Sequence, residues 1–188
     1  MDIYNIISKN EIIKTKGKLM LVSAGYKNIL EEVHSKEKWG YASQFEVPDI
    51  VKIIKEKNIQ TILDYGAGRQ FLASELPLHC SNIKICSYEP GIPGLDNPPD
   101  PAELVCCIDV LEHVEPECIE DVLDDLKRVT VGIGYFTIAT QPAKRILPDG
   151  RNAHILLQPI TWWHKQIEVR LDIIDHNDRR FIVKSKQT

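Results

Sequence analysis

Three carboxylates stand at matching places in this 188-residue sequence. Asp64 closes the apolar stretch Thr61-Ile62-Leu63, Glu89 follows Ile83–Tyr88, and Asp109 follows Leu104–Ile108. An acid at the end of an apolar strand can accept hydrogen bonds from hydroxyls or meet a positive charge. Gly66-Ala67-Gly68 comes just after Asp64, and glycines let a backbone approach a ligand closely, although the same pattern also makes a plain strand-to-helix turn. A dinucleotide fingerprint requires a third glycine three residues further on, where this chain has Phe71. An acid directly before the glycines also repels phosphate. The pattern therefore suits a cationic or amine-bearing ligand and disfavours a nucleotide-dependent oxidoreductase.

Two histidines have polar company. His113 follows Glu112 ahead of an acidic helix, where it either orients Glu112 or serves as a pocket residue or general base. His154 closes Asp149-Gly150-Arg151-Asn152-Ala153-His154, a short loop dense in polar groups, and is a candidate for substrate binding or proton removal. In the same loop Asn152 is a candidate substrate contact. Arg151 either meets an anionic substrate group or is a solvated charge. Lys144 and Arg145 extend this basic patch. Trp39 and Tyr41 are candidates for a lid. Trp162 and Trp163 read as core, and the acids of 115–125 read as a solvated helix face.

Elements that alternate strand and helix can position such groups. Helices are expected over Leu19–Lys36, Val47–Lys57, Phe71–Leu76, Pro116–Arg128 and Trp162–Arg170, each with apolar residues at helical spacing or with end signals. Strands are expected over Gln60–Tyr65, Ile83–Tyr88, Leu104–Ile108 and Gly134–Thr140, with a hairpin of Leu171–Asp175 and Phe181–Lys184 at the end. The alternation implies an α/β fold: a doubly wound, mostly parallel sheet with an antiparallel C-terminal edge. Ligands of such sheets bind at the carboxyl ends of the strands, where the three acids stand.

Composition narrows the function. The net charge of −4 hides an asymmetry: residues 1–57 carry +2, residues 58–143 carry −10 and residues 144–188 carry +4. The acidic middle and the lack of a basic-aromatic stripe argue against a nucleic-acid ligand and for a small molecule. The longest stretch without charge is 15 residues, Val129–Ala143, short of the roughly 20 a membrane helix needs. The N-terminus has no apolar block of secretory type. Five cysteines without a Cys-x-x-Cys pair read as reduced thiols of a cytoplasmic protein, and no spacing suggests a metal site.

Taken together, Thr61-Ile62-Leu63-Asp64-Tyr65-Gly66-Ala67-Gly68, the strand ending at Glu89, and Asp109-Val110-Leu111-Glu112-His113-Val114 resemble the class I S-adenosylmethionine-dependent methyltransferases. The resemblance spans about residues 45–188. The preceding residues 1–44 resemble, around Trp39-Gly40, the capping segment of small bacterial and phage-type members. It implies a Rossmann-like fold, S-adenosylmethionine as cofactor and methyl transfer to a small, sugar-like or anionic acceptor, or a cofactor-binding module without transfer activity that sequesters or degrades the cofactor. Asp64, with Gly66, Ala67 and Gly68, would hold the methionine end, and Glu89 the ribose hydroxyls beside Pro90. Asp109 and Val110 would complete the pocket. Two departures stand out. Gln70 replaces a glycine of the family's first motif. Only 14 residues, 90–103, lie between Glu89 and Leu104, so the domain is expected to be trimmed between the family's second and fourth strands, with Asp96 or Asn97 as the candidate adenine contact.

Overall fold

The computed structural model describes residues 19–36 and 41–186. Four strands run parallel: β1 (Thr61–Tyr65), β2 (Lys84–Tyr88), β3 (Ala102–Ile108) and β4 (Thr130–Thr137). Two more, β5 (Leu171–His176) and β6 (Arg180–Ser185), join antiparallel, β6 beside β4. The order across the sheet is β2-β1-β3-β4-β6-β5. This is the expected mixed architecture with an antiparallel C-terminal edge.

Helices cover both faces because the inner strands are apolar on both sides. On one face α4 (Ile119–Val129) and α5 (Ile160–Arg170) bury Leu126, Val129, Trp163 and Ile167 against Val105, Cys107 and Phe136. On the other, α2 (Val47–Lys57) and α3 (Phe71–His79) bury Ile50, Ile54, Leu72 and Leu76 against Leu104, Cys106 and Tyr135. Neighbouring Cys106 and Cys107 thus enter opposite cores, as strand alternation requires. Burying each such aliphatic side chain contributes about 1.5–3 kcal/mol. A further helix, α1 (Ala24–Lys36), packs Tyr26, Leu30 and Val33 against Leu147 and Ala153.

The trimming is plain in the chain path. Residues 89–101 leave the edge strand β2, pass beyond β1 and enter β3 without a helix or strand of their own. Tight turns fold this loop back on itself, with Glu89 N–H donating to the Leu95 carbonyl and Leu95 N–H to that of Ile92.

Several boundaries differ from expectation for identifiable reasons. Helix α1 begins at Ala24 rather than Leu19, because Ser23 caps it: its hydroxyl oxygen accepts the Tyr26 N–H. Residues 19–23 instead form an arm on α4 and the turn before it, where Met20 N–H donates to Asp121 and Ser23 donates twice to Glu115. Helix α3 continues through Pro77 to His79. The proline falls in the last turn and leaves the Ala73 carbonyl without its helical donor, while Cys80 N–H still reaches the Leu76 carbonyl and closes the helix. Helix α4 starts at Ile119, after a turn closed by Cys118 N–H on the Glu115 carbonyl. Strand β4 follows α4 with no loop and ends at Thr137.

The acids of 115–125 do not form a simple solvated face. Glu115 and Asp125 are buried. Asp125 accepts the Tyr65 hydroxyl and pairs with Arg128, while Glu120 and Asp124 both pair with Arg170. The acidity of this helix is spent mainly on tying it to the rest of the chain.

Candidate functional site

The carboxyl ends of β1, β2 and β3 open into one cavity of about 550 Å³. Asp64, Glu89 and Asp109 all line it, together with Gly66, Ala67, Gly68, Pro90, Val110, His113, His154 and Tyr41. Helix α1 supplies Tyr26, Leu30 and His34 to the same wall. Arg151 and Asn152 stand behind this wall, and Trp39 lies outside the described residues.

The first side of the cavity is made by the β1 turn. Gly66 N–H and Ala67 N–H both donate to the Tyr88 carbonyl, at 2.8 and 2.9 Å, so the turn is pinned to the end of β2. Gly66 has φ +79°, and a Cβ there would lie 2.4 Å from Val110 Cγ2. A side chain is excluded by both conformation and space. Gln70 adopts φ +59°, so the chain uses the left-handed conformation at the very position where the family motif carries glycine.

Glu89 is the junction of three elements. Its Oε2 accepts Gly68 N–H and its Oε1 accepts Gly91 N–H, both at 3.1 Å, and His34 Nε2 of α1 lies 3.6 Å from Oε1. Gly91 is needed where α1 crosses, since a Cβ there would lie 2.6 Å from Leu30 Cβ. Asp64 is 4% exposed. Burial, with the nearby Glu89 charge adding to it, pushes its carboxyl up to about 7. Two buried acids therefore face one cavity with no Lys or Arg bound to either by a salt bridge among the described residues.

The second side is built from the end of β3 and the loop 138–159. Asp109 has φ +51°. Its carboxylate accepts from Arg179 at 2.9 and 3.0 Å and from the Thr137 hydroxyl at 2.8 Å. Arg179 also donates to Glu46. Asp109 thus stands at the cavity with its charge already matched. Arg179, in the turn between β5 and β6, is the cation of this corner.

Glu112 is fully buried. Its Oε1 accepts Ala139 N–H at 2.8 Å, and its carbonyl accepts Leu156 N–H, so it holds both ends of the 139–156 loop. Burial, reinforced by Asp109, pushes its carboxyl up to about 8. The rings of His113 and His154 meet edge to face with centroids 4.9 Å apart. Each presents Nδ1 to a backbone carbonyl, His113 to Ala153 and His154 to Gln141. Burial drives His113 down to about 4, which keeps it neutral.

Asn152 works as a brace. Its side-chain oxygen accepts the N–H groups of Ala143 and His154, and its amide donates to the Ala143 carbonyl. Arg151 pairs with Asp149 and lies over the Tyr26 ring, 5.2 Å from the centroid. Lys144 and Arg145 supply the cationic part of the cavity wall. Asp96 is taken by Lys27 at 2.7 Å and by Gly94 N–H, which ties the short loop to α1.

Sequence reasoning did not single out Tyr26, Leu30 and His34, the α1 residues of the wall. Their spacing of four residues is an amphipathic stripe, which reads equally well as ordinary core.

No family model matches the sequence, and neither does any curated protein. Solved structures do match. A 1,6-didemethyltoxoflavin-N1-methyltransferase from Burkholderia thailandensis, solved with its substrate and S-adenosylhomocysteine, aligns at a TM-score of 0.62 and 9% identity, over 88% of this chain and 92% of its own. The mitomycin 7-O-methyltransferase aligns at 0.57 and 11% identity, over 77% of this chain. An O-methyltransferase family protein from Burkholderia thailandensis aligns at 0.54 and 11%, over 78%. The chain spans only 54% and 57% of the length of these last two. The fold is that of the class I methyltransferases. No helix among the described residues is long and apolar enough to cross a membrane.

Proposed function

We propose that the chain binds S-adenosylmethionine in this cavity and transfers its methyl group to a small acceptor. The observation that carries the reading is the pair of buried acids, Asp64 and Glu89, placed around a glycine turn that a Cβ would block. When bound, the cofactor supplies an electrophilic methyl carbon on a positively charged sulfonium. The residues present suit such a group. Glu89 is positioned by two backbone N–H groups and can accept from a pair of vicinal hydroxyls. Asp64 offers a carboxylate to a positively charged amine, and Gly66 to Gly68 let the backbone lie against it. Helix α1 closes the wall and excludes water, the role we assign to the capping segment of residues 1–44.

The acceptor's lone pair forms a bond to the methyl carbon while the carbon–sulfur bond breaks and its electron pair passes to sulfur. Positioning and desolvation carry most of the acceleration. The His113–His154 pair deals with the proton that an oxygen or nitrogen acceptor loses. Lys144 and Arg145 favour an anionic acceptor, with Tyr41 at the rim. The test is incubation of the protein with isotopically labelled methyl donor and a metabolite extract. Label in a small molecule, together with S-adenosylhomocysteine, supports the reading. Cofactor binding without any labelled product would leave a binding module that sequesters or degrades its ligand, a reading the trimmed 89–101 loop favours.

A further inference from the structure

Beyond cofactor binding, one cluster in this cavity has the make-up of a cation site. Glu112, His113 and His154 each place one ligand atom within 4.8 Å of the other two. We propose that these three residues bind a divalent cation of borderline character, of the Mn²⁺, Co²⁺ or Zn²⁺ kind, with its remaining positions open to the cavity.

Three observations besides proximity support the site. First, both imidazoles are oriented by backbone carbonyls. A carbonyl can only accept, so Nδ1 of His113 donates to Ala153 and Nδ1 of His154 donates to Gln141. The ring lone pair is thereby placed on Nε2 in both residues. Metal-ligating histidines are held in this way, with the nitrogen that does not bind metal donating to a carbonyl or carboxylate. Second, Glu112 is fully buried and one of its oxygens is committed to Ala139 N–H, but Oε2 has no hydrogen-bond partner among the described residues. A buried carboxyl oxygen left unpaired costs free energy, and a cation that displaces its proton satisfies it. Third, the guanidinium of Arg179, which acts on Glu112 through space, has its hydrogen bonds on Asp109 and Glu46, so it does not pair with Glu112 directly.

The donor set selects the metal class. Two imidazole nitrogens and one carboxylate oxygen suit transition cations better than Mg²⁺ or Ca²⁺, which take oxygen ligands. Two ligands on one tetrahedral cation at normal bond lengths lie about 3.3 Å apart, so the cluster must contract by up to about 1.5 Å. Glu112 and His113 are fixed by the packed turn after β3. His154 sits in the 138–159 loop, and its movement closes the site. Both histidines line the cavity, so an open position faces the acceptor region. On the methyl-transfer reading, such a cation would occupy the Nε2 lone pairs of both histidines and take over their part, binding an acceptor oxygen and easing loss of its proton to water. Cation binding itself does not depend on that reading.

The spacing explains why the site is hidden in the sequence. Glu112 and His113 are adjacent, but His154 comes 41 residues later and reaches them only through the loop that Glu112 and Asn152 brace.

The test uses the full-length, tag-free chain, stripped with chelator and dialysed. It is titrated calorimetrically with Zn²⁺, Mn²⁺ and Mg²⁺, and with Co²⁺ under visible spectroscopy. The proposal predicts one saturable site, visible Co²⁺ bands from nitrogen ligation, and Mg²⁺ binding at least about tenfold weaker than Zn²⁺. His154→Ala should weaken Zn²⁺ by about tenfold or more with an unchanged circular dichroism spectrum. Glu112→Gln should do the same, and if it unfolds, His154→Ala and His154→Gln carry the test alone. The absence of a saturable site, Mg²⁺ binding as tight as Zn²⁺, or a His154→Ala protein that binds as the parent does would each overturn the proposal. None of these readouts involves methyl transfer, so the site can fail while the functional reading stands, and the reverse.

Discussion

The two sides of the cavity are built in opposite ways. On the β1–β2 side, Asp64, Gly66–Gly68 and Glu89 come from two adjacent strands within 26 residues of sequence, and their partners are backbone N–H groups of the same turns. On the β3–β4 side, the groups that meet are far apart in the chain. Asp109 is held by Arg179, 70 residues on, and His113 meets His154 across 41. The first side uses conformation and close approach, with no Lys or Arg salt-bridged to either acid among the described residues. The second uses long-range ion pairs and hydrogen bonds that match the charge of Asp109, while one oxygen of buried Glu112 has no hydrogen-bond partner among the described residues. The first side is thus defined by short-range geometry, the second by contacts between distant segments of the chain.

The largest effect that separates them is expected at Gly66. Gly66→Ala must place a methyl group 2.4 Å from Val110 Cγ2 at φ +79°. The strain and overpacking cost about 2–4 kcal/mol, read as a lowered denaturation midpoint, with cofactor binding lost. A Gly66→Ala protein that bound like the parent would remove the close-approach argument.

Arg179→Ala probes the other side. It strands Asp109 and the buried Glu46 without their cation. The guanidinium is 43% exposed, and solvent screening keeps the expected loss near 1–2 kcal/mol, below that of a fully buried pair. Cofactor affinity should change little. A large loss of affinity with unchanged stability would show that the two sides are coupled.

The unpaired acids make the comparison pH-dependent. Asp64 and Glu112 both hold their proton more tightly folded, to about 7 and about 8, than in the unfolded chain. The folded state binds more protons between the unfolded and folded values, so stability falls as pH rises through that window. Denaturant midpoints at pH 5 and pH 8 should show this fall, and Asp64→Asn should reduce it while leaving the share that Glu112 contributes. Binding of a cationic ligand favours ionised Asp64, so affinity should rise with pH around 7 in the parent and lose that slope in Asp64→Asn. The smallest effect is expected from Arg151→Ala. Its side chain is 43% exposed, so solvent screens its pair with Asp149 and its contact with the buried Tyr26 ring, and the change in stability should stay within about 1 kcal/mol.

The same contrast explains what was legible in the sequence. The sheet, its antiparallel edge and the trimmed loop could be read because they depend on local patterns: apolar runs, a Gly-x-Gly turn and a loop dense in proline. Asp64 and Glu89 could be placed because each ends its own strand. Arg179 was passed over because nothing in Asp178-Arg179-Arg180 indicates an acid 70 residues away. The helix acids looked solvated because a charged stripe is usually exposed, while here Ser23, Tyr65 and Arg170 come from distant elements to meet them. Arg151 and Asn152 belong to the loop that lines the cavity without lining it themselves, because the bridge between Ile146 and Asn152, with Leu147 N–H on the Arg151 carbonyl and Ala153 N–H on that of Arg145, folds the loop on itself, a pairing that its sequence does not signal.

The central claim is that Glu89 and the glycine turn receive S-adenosylmethionine. Calorimetric titration of the parent and Glu89→Ala with S-adenosylhomocysteine tests it most directly, with NADH as the control ligand. The account predicts one site in the parent, no heat with NADH, and affinity at least about tenfold weaker in Glu89→Ala, since two hydrogen bonds to a charged acceptor are lost. Binding of NADH in place of S-adenosylhomocysteine, or equal affinity in the two proteins, would contradict it.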